Sequence, residues 1–378
     1  MFFSLAVTKH NNMKRILVAA AILSVTCLHA QLTVTPNGGN KKATVGERIG
    51  LTDVTIHYDR PGVKGREGKI WGDLIQAGYN DLGFGNTTKA PWRAGSNENT
   101  TIEFSTPVMI EGQPLPAGKY AFFIAYDANE CTLIFSKNSS SWGSFFYNPA
   151  EDALRVKVKP VSTDKSVEWL KYEFTNEKTA SATVNLQWEK LAIPFTISVD
   201  LPATQVASFR SELQTDKGFL WESWAQAAQW CAENNTNLEQ ALVWTDTAVS
   251  TNFGGDRSFQ AWSAKAQVLD KLGRADDAAS VMKKALPFGN EFEVHQYGRQ
   301  LMAQKKYQQA VEVFKYNYQA HPNSFTTLAG LTRGYSAAGN YSEALKYAQL
   351  ALPLAPNGPN KAMIENAIEK LKQGKDFN

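Results

Sequence analysis

The chain has 378 residues, of which 43% are hydrophobic and 20% are charged, and its formal net charge at pH 7 is +3. The whole excess of positive charge comes from Lys9, Lys14 and Arg15, so the chain beyond residue 30 has no formal net charge. A chain without a basic excess lacks the electrostatic footprint of nucleic-acid-binding proteins, and we expect no nucleic-acid partner.

The first predicted element is a secretory signal peptide over residues 1–30. Lys14-Arg15 precede an apolar run over residues 16–28, and Ala30 follows it. A basic segment, an apolar stretch of about 7–15 residues and a small residue at the cut define such a signal, whereas a membrane span needs about 20 apolar residues. We therefore predict cleavage near Ala30, a periplasmic or secreted location and no transmembrane segment after cleavage. An uncleaved N-terminal anchor and lipidation of Cys27 remain alternatives.

Residues 31–200 are predicted to form an all-β domain. Apolar and polar residues alternate over residues 54–58, which is the period of a strand with one buried face. Residues 116–118 begin a strand that residues 127–130 turn back into a partner, which is a β-hairpin signal. About nine such strands predict an antiparallel sandwich or barrel; the last three are expected near residues 167–175, 181–189 and 193–199. No strand–helix–strand rhythm appears, which disfavours a nucleotide-binding sheet.

Five segments of this region follow one another in a recognisable order. They are Val45 to Arg66, Trp92 to Ile102, Leu115 to Tyr120, Ser141 to Ser144 and Leu154 to Val158. Through these five segments, residues 34–195 resemble the bacterial domain of unknown function 2911. The resemblance implies a secreted bacterial β domain and no activity. The stretch from Asn80 to Lys89 departs from the family pattern, which leaves the geometry of that loop open.

If the β domain binds a ligand, the residues around Trp92-Arg93 are the candidates. Aromatic rings stack on sugars, and arginine and carboxylate groups supply charge-assisted hydrogen bonds to sugars or peptides. The alternative is structural, with the arginines tying loops together through backbone carbonyls and Glu98 pairing with Arg93 or Arg60. The candidate ligand-binding residues are Tyr58, Asp59, Arg60, Trp71, Trp92, Arg93, Asn97, Glu98 and Trp142.

No catalytic residue is predicted, and the chain is expected not to be an enzyme. Asp59 and Glu98 are the one pair nominated for glycoside hydrolysis, which needs two carboxyl groups about 5–10 Å apart. No Gly-x-Ser-x-Gly elbow and no Cys/His couple is present. Cys131 and Cys231 are expected to be buried free thiols.

No metal and no cofactor are expected. Metal sites of the His/Cys type need ligands at short, regular spacings, and the histidines beyond residue 30 do not have them. These histidines are His57, His295 and His321.

Residues 201–257 are predicted to be a helical linker that contains a degenerate repeat from about Trp221 to Ser250. Asp200 can cap the first helix, and Pro202 suits its first turn. Tryptophans are frequent in these helices, and core packing explains them better than a cofactor site does.

Residues 258–378 are predicted to be repeated helical hairpins, followed by a capping helix over residues 360–373. Small residues mark one position of three successive units, and prolines close two of the units 34 residues apart: Ala278, Ala310 and Ala344, then Pro322 and Pro356. The first interval, from Ala278 to Ala310, is only 32 residues. Gly273 and Gly339 are expected to make the turns inside their hairpins. The pattern resembles tetratricopeptide repeats, which stack into solenoids that usually hold another protein.

A groove along the first helix of each unit is the candidate partner-binding surface. Gln267, Arg299 and Arg333 share one position of successive units, and His295 and Met302 lie close to it. Two stacked arginines could clamp an acidic side chain or a C-terminal carboxylate of a partner. The alternative is that they are ordinary surface arginines.

The predicted fold class is therefore an α+β multidomain chain, with an N-terminal all-β antiparallel sandwich or barrel and a C-terminal all-α tetratricopeptide-type solenoid. We expect a cell-envelope protein that binds or scaffolds a protein or peptide partner without catalysis. The competing hypothesis is a carbohydrate-binding or carbohydrate-active β domain with the repeats as an adaptor. A purely structural role is the third.

Overall fold

The computed structural model describes residues 39–356 and 358–378. The predicted signal peptide and Cys27 lie outside the described residues. The chain divides into two compact units, and the division falls between Ser198 and Val199. In the part of the chain that is described, no helix is both long enough and apolar enough to cross a membrane.

The first unit consists of two antiparallel sheets, as predicted. The described strands are β1 (Lys41–Ile49), β2 (Thr52–Arg60), β3 (Thr101–Phe104), β4 (Val108–Ile110), β5 (Gln113–Leu115), β6 (Gly118–Ala125), β7 (Cys131–Ser136), β8 (Asp152–Val158), β9 (Val161–Lys178) and β10 (Ser181–Ser198). One sheet has the order β1-β2-β3-β6-β7-β8, and the other has the order β5-β4-β10-β9. The strands are therefore arranged as a sandwich of two sheets rather than as one closed barrel.

Aromatic side chains from both sheets form the core of the sandwich. Phe122 on β6 and Phe135 on β7 have ring centroids 5.1 Å apart. Phe195 on β10, in the other sheet, lies 5.4 Å from Phe122. All three are buried, and burying such a side chain contributes roughly 1.5–3 kcal/mol, so these contacts hold the two sheets together.

The predicted break between residues 181–189 and 193–199 is wrong, because both stretches belong to the single long strand β10. The register between β10 and β9 shifts on either side of Glu189. Glu189 has a left-handed backbone with φ of 50°, as expected where a β-bulge inserts an extra residue. The bulge interrupts the two-residue alternation, so the sequence pattern resembles two strands although the backbone forms one.

The second unit is helical throughout its described residues. Its helices are α1 (Leu201–Glu212), α2 (Trp221–Glu233), α3 (Leu238–Ala248), α4 (Phe259–Lys271), α5 (Ala275–Ala285), α6 (Glu291–Ala303), α7 (Tyr307–Ala320), α8 (Phe325–Ala337), α9 (Tyr341–Ala351) and α10 (Gly358–Lys372). The pairs α4–α5, α6–α7 and α8–α9 are the three predicted hairpins. The pair α2–α3 lies where the degenerate repeat is predicted, and α10 lies at the predicted capping helix.

Local sequence signals set the ends of these helices. The Asp200 side chain accepts a hydrogen bond from the Ala203 amide and caps α1, as predicted. Gly273 and Gly339 have left-handed backbones inside their hairpins, also as predicted. In the second hairpin Lys305 takes that conformation, with φ of 61°, although a side chain makes it less favourable.

The helical core is built around Phe314 of α7, which has no exposed surface. Three glycines surround its ring. A Cβ added to Gly330 would lie 2.7 Å from the ring, one added to Gly334 would lie 2.9 Å from it, and one added to Gly298 would be closer still. The glycines therefore let α6 and α8 approach the aromatic ring. Trp224, Trp230 and Trp244 also pack within the helical core.

Candidate functional site

The candidate partner-binding residues lie on consecutive first helices, and we call Gln267, Arg299 and Arg333 the first-helix row. Gln267 is on α4, Arg299 on α6 and Arg333 on α8. Arg299 is exposed, whereas Gln267 and Arg333 are half-buried. His295 is one helical turn before Arg299, and half-buried Met302 is almost one turn after it.

His295 is a largely buried histidine between two arginines. Its ring centroid lies 5.4 Å from that of Phe314, and its buried Nδ1 has no hydrogen-bond partner in the described structure. Burial first, and then the charges of Arg299 and Arg333, lower the pKa of His295 from 6.5 to about 4. Glu291 and a backbone hydrogen bond with Thr326 oppose that shift without reversing it. His295 is therefore neutral at neutral pH and adds no positive charge to the row.

The depressed pKa of His295 predicts acid sensitivity of the helical unit. Between pH 6.5 and about pH 4 the unfolded chain binds a proton at His295 and the folded chain does not. Proton binding by the unfolded state lowers the free energy of unfolding as the pH falls through this window. An NMR titration should give a midpoint near 4 for His295, and the stability of His295→Gln should change less across the window. A midpoint near 6.5 would contradict the proposed burial effect.

The two arginines of the row carry positive charge without an ion-pair partner. Within the described residues, neither Arg299 nor Arg333 has a carboxylate oxygen within 4.0 Å, the limit for an ion pair. Burial, and then the positive charge of Arg299, lower the pKa of Arg333. An uncompensated pair of cations favours an anionic group between or above them.

The C-terminal tail covers one end of the row. The guanidinium carbon of Arg333 lies 5.4 Å from the ring centroid of Phe377, and Phe377 is buried. The Ser336 hydroxyl donates to the Asp376 carboxylate at 2.5 Å, and the Asn378 amide donates to the Arg333 carbonyl at 3.2 Å. The face of Arg333 is thus already occupied, whereas Arg299 remains open.

A cleft of about 570 Å³ lies next to the row, where hairpin α4–α5 meets hairpin α6–α7. The backbones of α4 and α5 make few close approaches to α6, while the other consecutive hairpins pack helix against helix. We call this space the junction cleft; its lining includes Gln267, Asp270, Ala279, Met282, Tyr297, Gln300, Leu301, Gln304 and Lys306. The repeat spacing placed Gln267 at a binding surface, and the other lining residues of the cleft were not predicted from the sequence.

Two tryptophans of the β-domain candidate set, Trp71 and Trp92, pack against each other and against a third tryptophan. Trp71 and Trp92 have ring centroids 5.6 Å apart, and buried Trp188 of β10 lies 6.0 Å from Trp71 and 6.2 Å from Trp92. The indole nitrogen of Trp71 donates to the Trp188 carbonyl at 3.3 Å, and that of Trp92 donates to the Gly95 carbonyl at 3.1 Å. These contacts favour the structural alternative for both tryptophans.

The arginines of the β-domain candidate set hold loops through backbone carbonyls. Arg60 donates to the Leu170 carbonyl at 2.8 Å, and Arg93 donates to the Asn97 carbonyl at 2.6 Å. Tyr58 is buried, and its hydroxyl accepts a hydrogen bond from the Tyr172 amide. The Arg60 and Tyr58 bonds join segments that are distant in the chain, and the Arg93 bond closes a loop.

The two nominated carboxylates have different environments. Asp59 is buried, and burial raises the pKa of its carboxyl group. Glu98 is exposed and forms an ion pair with Lys42, rather than with Arg93 or Arg60. Asp59 is thus enclosed by the protein, whereas Glu98 lies at the surface beside Lys42, and the two carboxyl groups do not share one environment.

An exposed aromatic cluster on two loops of the β domain was missed by the sequence analysis. Phe84 and Phe146 in this cluster are 66% and 41% exposed, whereas Trp142, which was predicted, is 54% exposed and makes no ring contact with the described residues. The Phe84 ring lies 5.5 Å from that of Phe145 and 6.2 Å from that of Phe146. The aromatic run after Trp142 was the available signal. Phe84 falls in the stretch from 80 to 89, where the sequence left the loop geometry open.

The described residues include two cysteines, and both are enclosed by the protein. Cys131 and Cys231 are both buried and free, as expected, and burial raises the pKa of both thiols. No group of three or more His, Cys, Asp or Glu side chains is placed to hold a metal ion in the part that is described.

The fold and the site define a chain that joins an antiparallel β-sandwich to a solenoid of helical hairpins. Residues 40–197 match the family model described as protein of unknown function (DUF2911). Residues 301–368 match a tetratricopeptide repeat model. The resemblances seen in the sequence and the predicted fold class are thus confirmed. Among curated proteins, none matches the chain.

Several solved structures are similar to part of the chain. "MamA MSR-1 C2" is 17% identical, with 40% of this chain and 85% of that chain covered and a TM-score of 0.28. Pseudomonas aeruginosa pilF is 21% identical over 42% and 70%, with a TM-score of 0.30. YrrB, described as a TPR protein with an unusual peptide-binding site, is 16% identical over 46% and 87%, with a TM-score of 0.30. TM-scores this low do not bear on function.

Proposed function

We propose that the protein is a non-catalytic scaffold of the cell envelope that binds a protein partner through the first-helix row of its repeats. The observation that carries the proposal is the pair Arg299 and Arg333, which lack a carboxylate partner within the described residues. Tetratricopeptide repeats suggest a protein or peptide partner. The signal-like segment over residues 1–30 supports a periplasmic or secreted location.

The partner is expected to present an acidic segment or a C-terminal carboxylate to Arg299. Arg299 is exposed, and arginine binds carboxylates through two parallel hydrogen bonds. Arg333 contributes positive potential from beneath Phe377. Because His295 is neutral, Arg299 and Arg333 are the two cations of the site. Binding of an anionic group to them should weaken as the salt concentration rises.

Charge reversal at Arg299 should abolish partner capture. Arg299→Glu replaces an attractive contact with a repulsive one, and the loss of a charged contact at an interface typically weakens binding by roughly tenfold or more. Purified protein would be used as bait on solubilised cell envelope, followed by affinity measurement with the captured partner at two salt concentrations. Arg333 is left unchanged because its substitution would also disturb the packing of Phe377.

Lys361→Glu is the matched control, since it makes the same charge change at an exposed position of α10. It should retain the partner. Capture that is equal for all three proteins, or no Arg299-dependent partner at all, would overturn the proposal.

A further inference from the structure

The junction cleft has the size and the lining of a ligand site. Its volume of about 570 Å³ lies within the range of roughly 300–1,000 Å³ that ligand sites occupy. A second cavity adjoins it at Met282, Tyr297 and Leu301. These three side chains give the cleft an apolar floor, and Met282 is unbranched and adapts to different shapes.

Contacts across the junction mark both ends of the cleft. At one end Gly289 fits against Phe259 and Val294, since an added Cβ would lie 2.7 Å and 2.8 Å from their side chains. At the other end Lys306 and Asp270 form an ion pair, with 3.9 Å between Nζ and Oδ1. The position of the cleft between these contacts coincides with the shortened 32-residue interval between units.

Some polar groups of the cleft are bonded within the protein, as the Gln229 amide is to Glu233, whereas three side-chain amides and one hydroxyl are not. The side-chain amides of Gln267, Gln300 and Gln304 line the cleft and form no hydrogen bond with the described residues. The Tyr297 hydroxyl also lacks a partner there, and burial, followed by the charge of Asp270, raises the pKa of this phenol to about 12. The hydroxyl therefore stays protonated and able to donate a hydrogen bond.

The spacing and charge of these groups match a peptide main chain. Each glutamine offers one acceptor and two donors, which suits the alternating C=O and N–H groups of an extended peptide. Gln300 and Gln304 are one helical turn apart, about 6 Å along α6, which is close to the roughly 6.6 Å spanned by two residues of an extended chain. The charged lining residues balance as two acids and two bases: Glu233, Asp270, Lys271 and Lys306.

We propose that the junction cleft binds an extended, uncharged peptide segment of the partner, with its main chain paired to the glutamines and one apolar side chain against Met282, Tyr297 and Leu301. This inference rests on the proposed function and extends it, because the cleft adjoins the first-helix row at Gln267. Arg299 then holds an acidic group while the cleft recognises a neighbouring apolar residue.

The test begins with a random peptide library displayed on phage and selected on the purified protein. Enriched sequences are synthesised, and their affinities are measured by fluorescence polarisation. Ala279→Trp places a large ring in the cleft from an exposed position of its lining, and Ala362→Trp makes the same change on exposed α10. A second variant combines Gln267→Leu, Gln300→Leu and Gln304→Leu, which removes the amides while keeping similar volume.

The enriched peptides should share one large apolar residue with uncharged neighbours. Ala279→Trp and the triple leucine variant should each weaken binding by roughly tenfold or more, while Ala362→Trp should bind as the unchanged protein does. Circular dichroism of each variant separates lost binding from lost folding. Peptides that bind Ala279→Trp equally well, acidic peptides that depend only on Arg299, or the absence of any enriched sequence would each overturn the inference.

The two proposals fail in distinguishable ways. If Arg299→Glu abolishes partner capture and Ala279→Trp does not, the scaffold function stands and the cleft assignment is wrong. If no variant changes capture of any envelope protein, both are wrong. If an oligosaccharide panel binds the cleft in place of peptides, the ligand class assigned here is wrong.

Discussion

Phe314→Ala lowers the free energy of unfolding of the helical unit by about 3–5 kcal/mol, the usual cost of removing a buried phenylalanine. The side chain has no exposed surface and fills the space that Gly298, Gly330 and Gly334 leave open. Helices cannot collapse fully into such a space, so a cavity remains and adds to the lost burial energy. Denaturant unfolding followed by circular dichroism at a helical wavelength measures the change.

Phe292→Ala is the matched control for this prediction. Phe292 lies on α6, as Gly298 does, but its side chain is 64% exposed, so its removal should change stability little. A loss at Phe314 no larger than the loss at Phe292 would show that the ring does not organise the core of the repeats.

Trp188→Ala destabilises the β-sandwich by about 3–5 kcal/mol, within the range for removal of a buried aromatic residue. Trp188 is 1% exposed, and its ring contacts both Trp71 and Trp92. Its indole nitrogen has no hydrogen-bond partner in the described structure, so the cost comes from lost packing and the remaining cavity. Hydrogen exchange of the β9 and β10 amides, read by mass spectrometry, reports on this unit separately.

Trp142→Ala makes the same chemical change at a side chain that is 54% exposed. It should leave the exchange of β9 and β10 amides unchanged. If these amides were equally protected from exchange in Trp188→Ala and in the unchanged protein, the role assigned to the tryptophan cluster would be contradicted.

Local signals in the sequence were sufficient to predict most of the helical unit. Asp200 before Pro202 marked the start of α1, and Gly273 and Gly339 marked two of the hairpin turns. These signals act within a few residues, and so they are readable without knowing the fold. Lys305 at the equivalent turn shows the limit. The Lys306 amide donates to the Leu301 carbonyl at 2.9 Å and closes that helix end, which places Lys305 in a left-handed conformation that its residue type does not announce.

The β-domain site could not be predicted in the same way. Trp71 and Trp92 are separated from Trp188 by about a hundred residues, and only the sheet order brings the three rings together. Composition alone cannot distinguish aromatic residues that stack on a ligand from those that stack on one another. Similarly, the pairing of Glu98 with Lys42 follows from the neighbouring positions of β1 and the loop before β3, rather than from local sequence.

The junction cleft had one visible signal in the sequence, the shortened interval between Ala278 and Ala310. The shortened interval indicated that the loop between these two hairpins is shorter. It did not indicate whether the hairpins would pack against each other or leave a cleft between them. That outcome depends on contacts across the junction, notably Gly289 against Phe259 and Val294 at one end. The row of Gln267, Arg299 and Arg333 was found because it follows the repeat spacing, whereas Tyr297 and Leu301 were not assigned to a site because their role depends on the open junction.

The tail that covers Arg333 also limits the length of any ligand on the first-helix row. Phe377 covers Arg333 and Asp376 binds Ser336, and these two residues of α8 correspond to Arg299 and Met302 of α6. The accessible surface for a ligand therefore extends from α6 back to α4 and α2. Packed helices lie about 9 Å apart, and the junction cleft widens the step between α4 and α6, so a ligand that crosses the three helices spans at least roughly 18 Å, or about six residues of extended chain. The surface therefore suits a short linear motif, and a longer partner segment must turn away from the protein at α8.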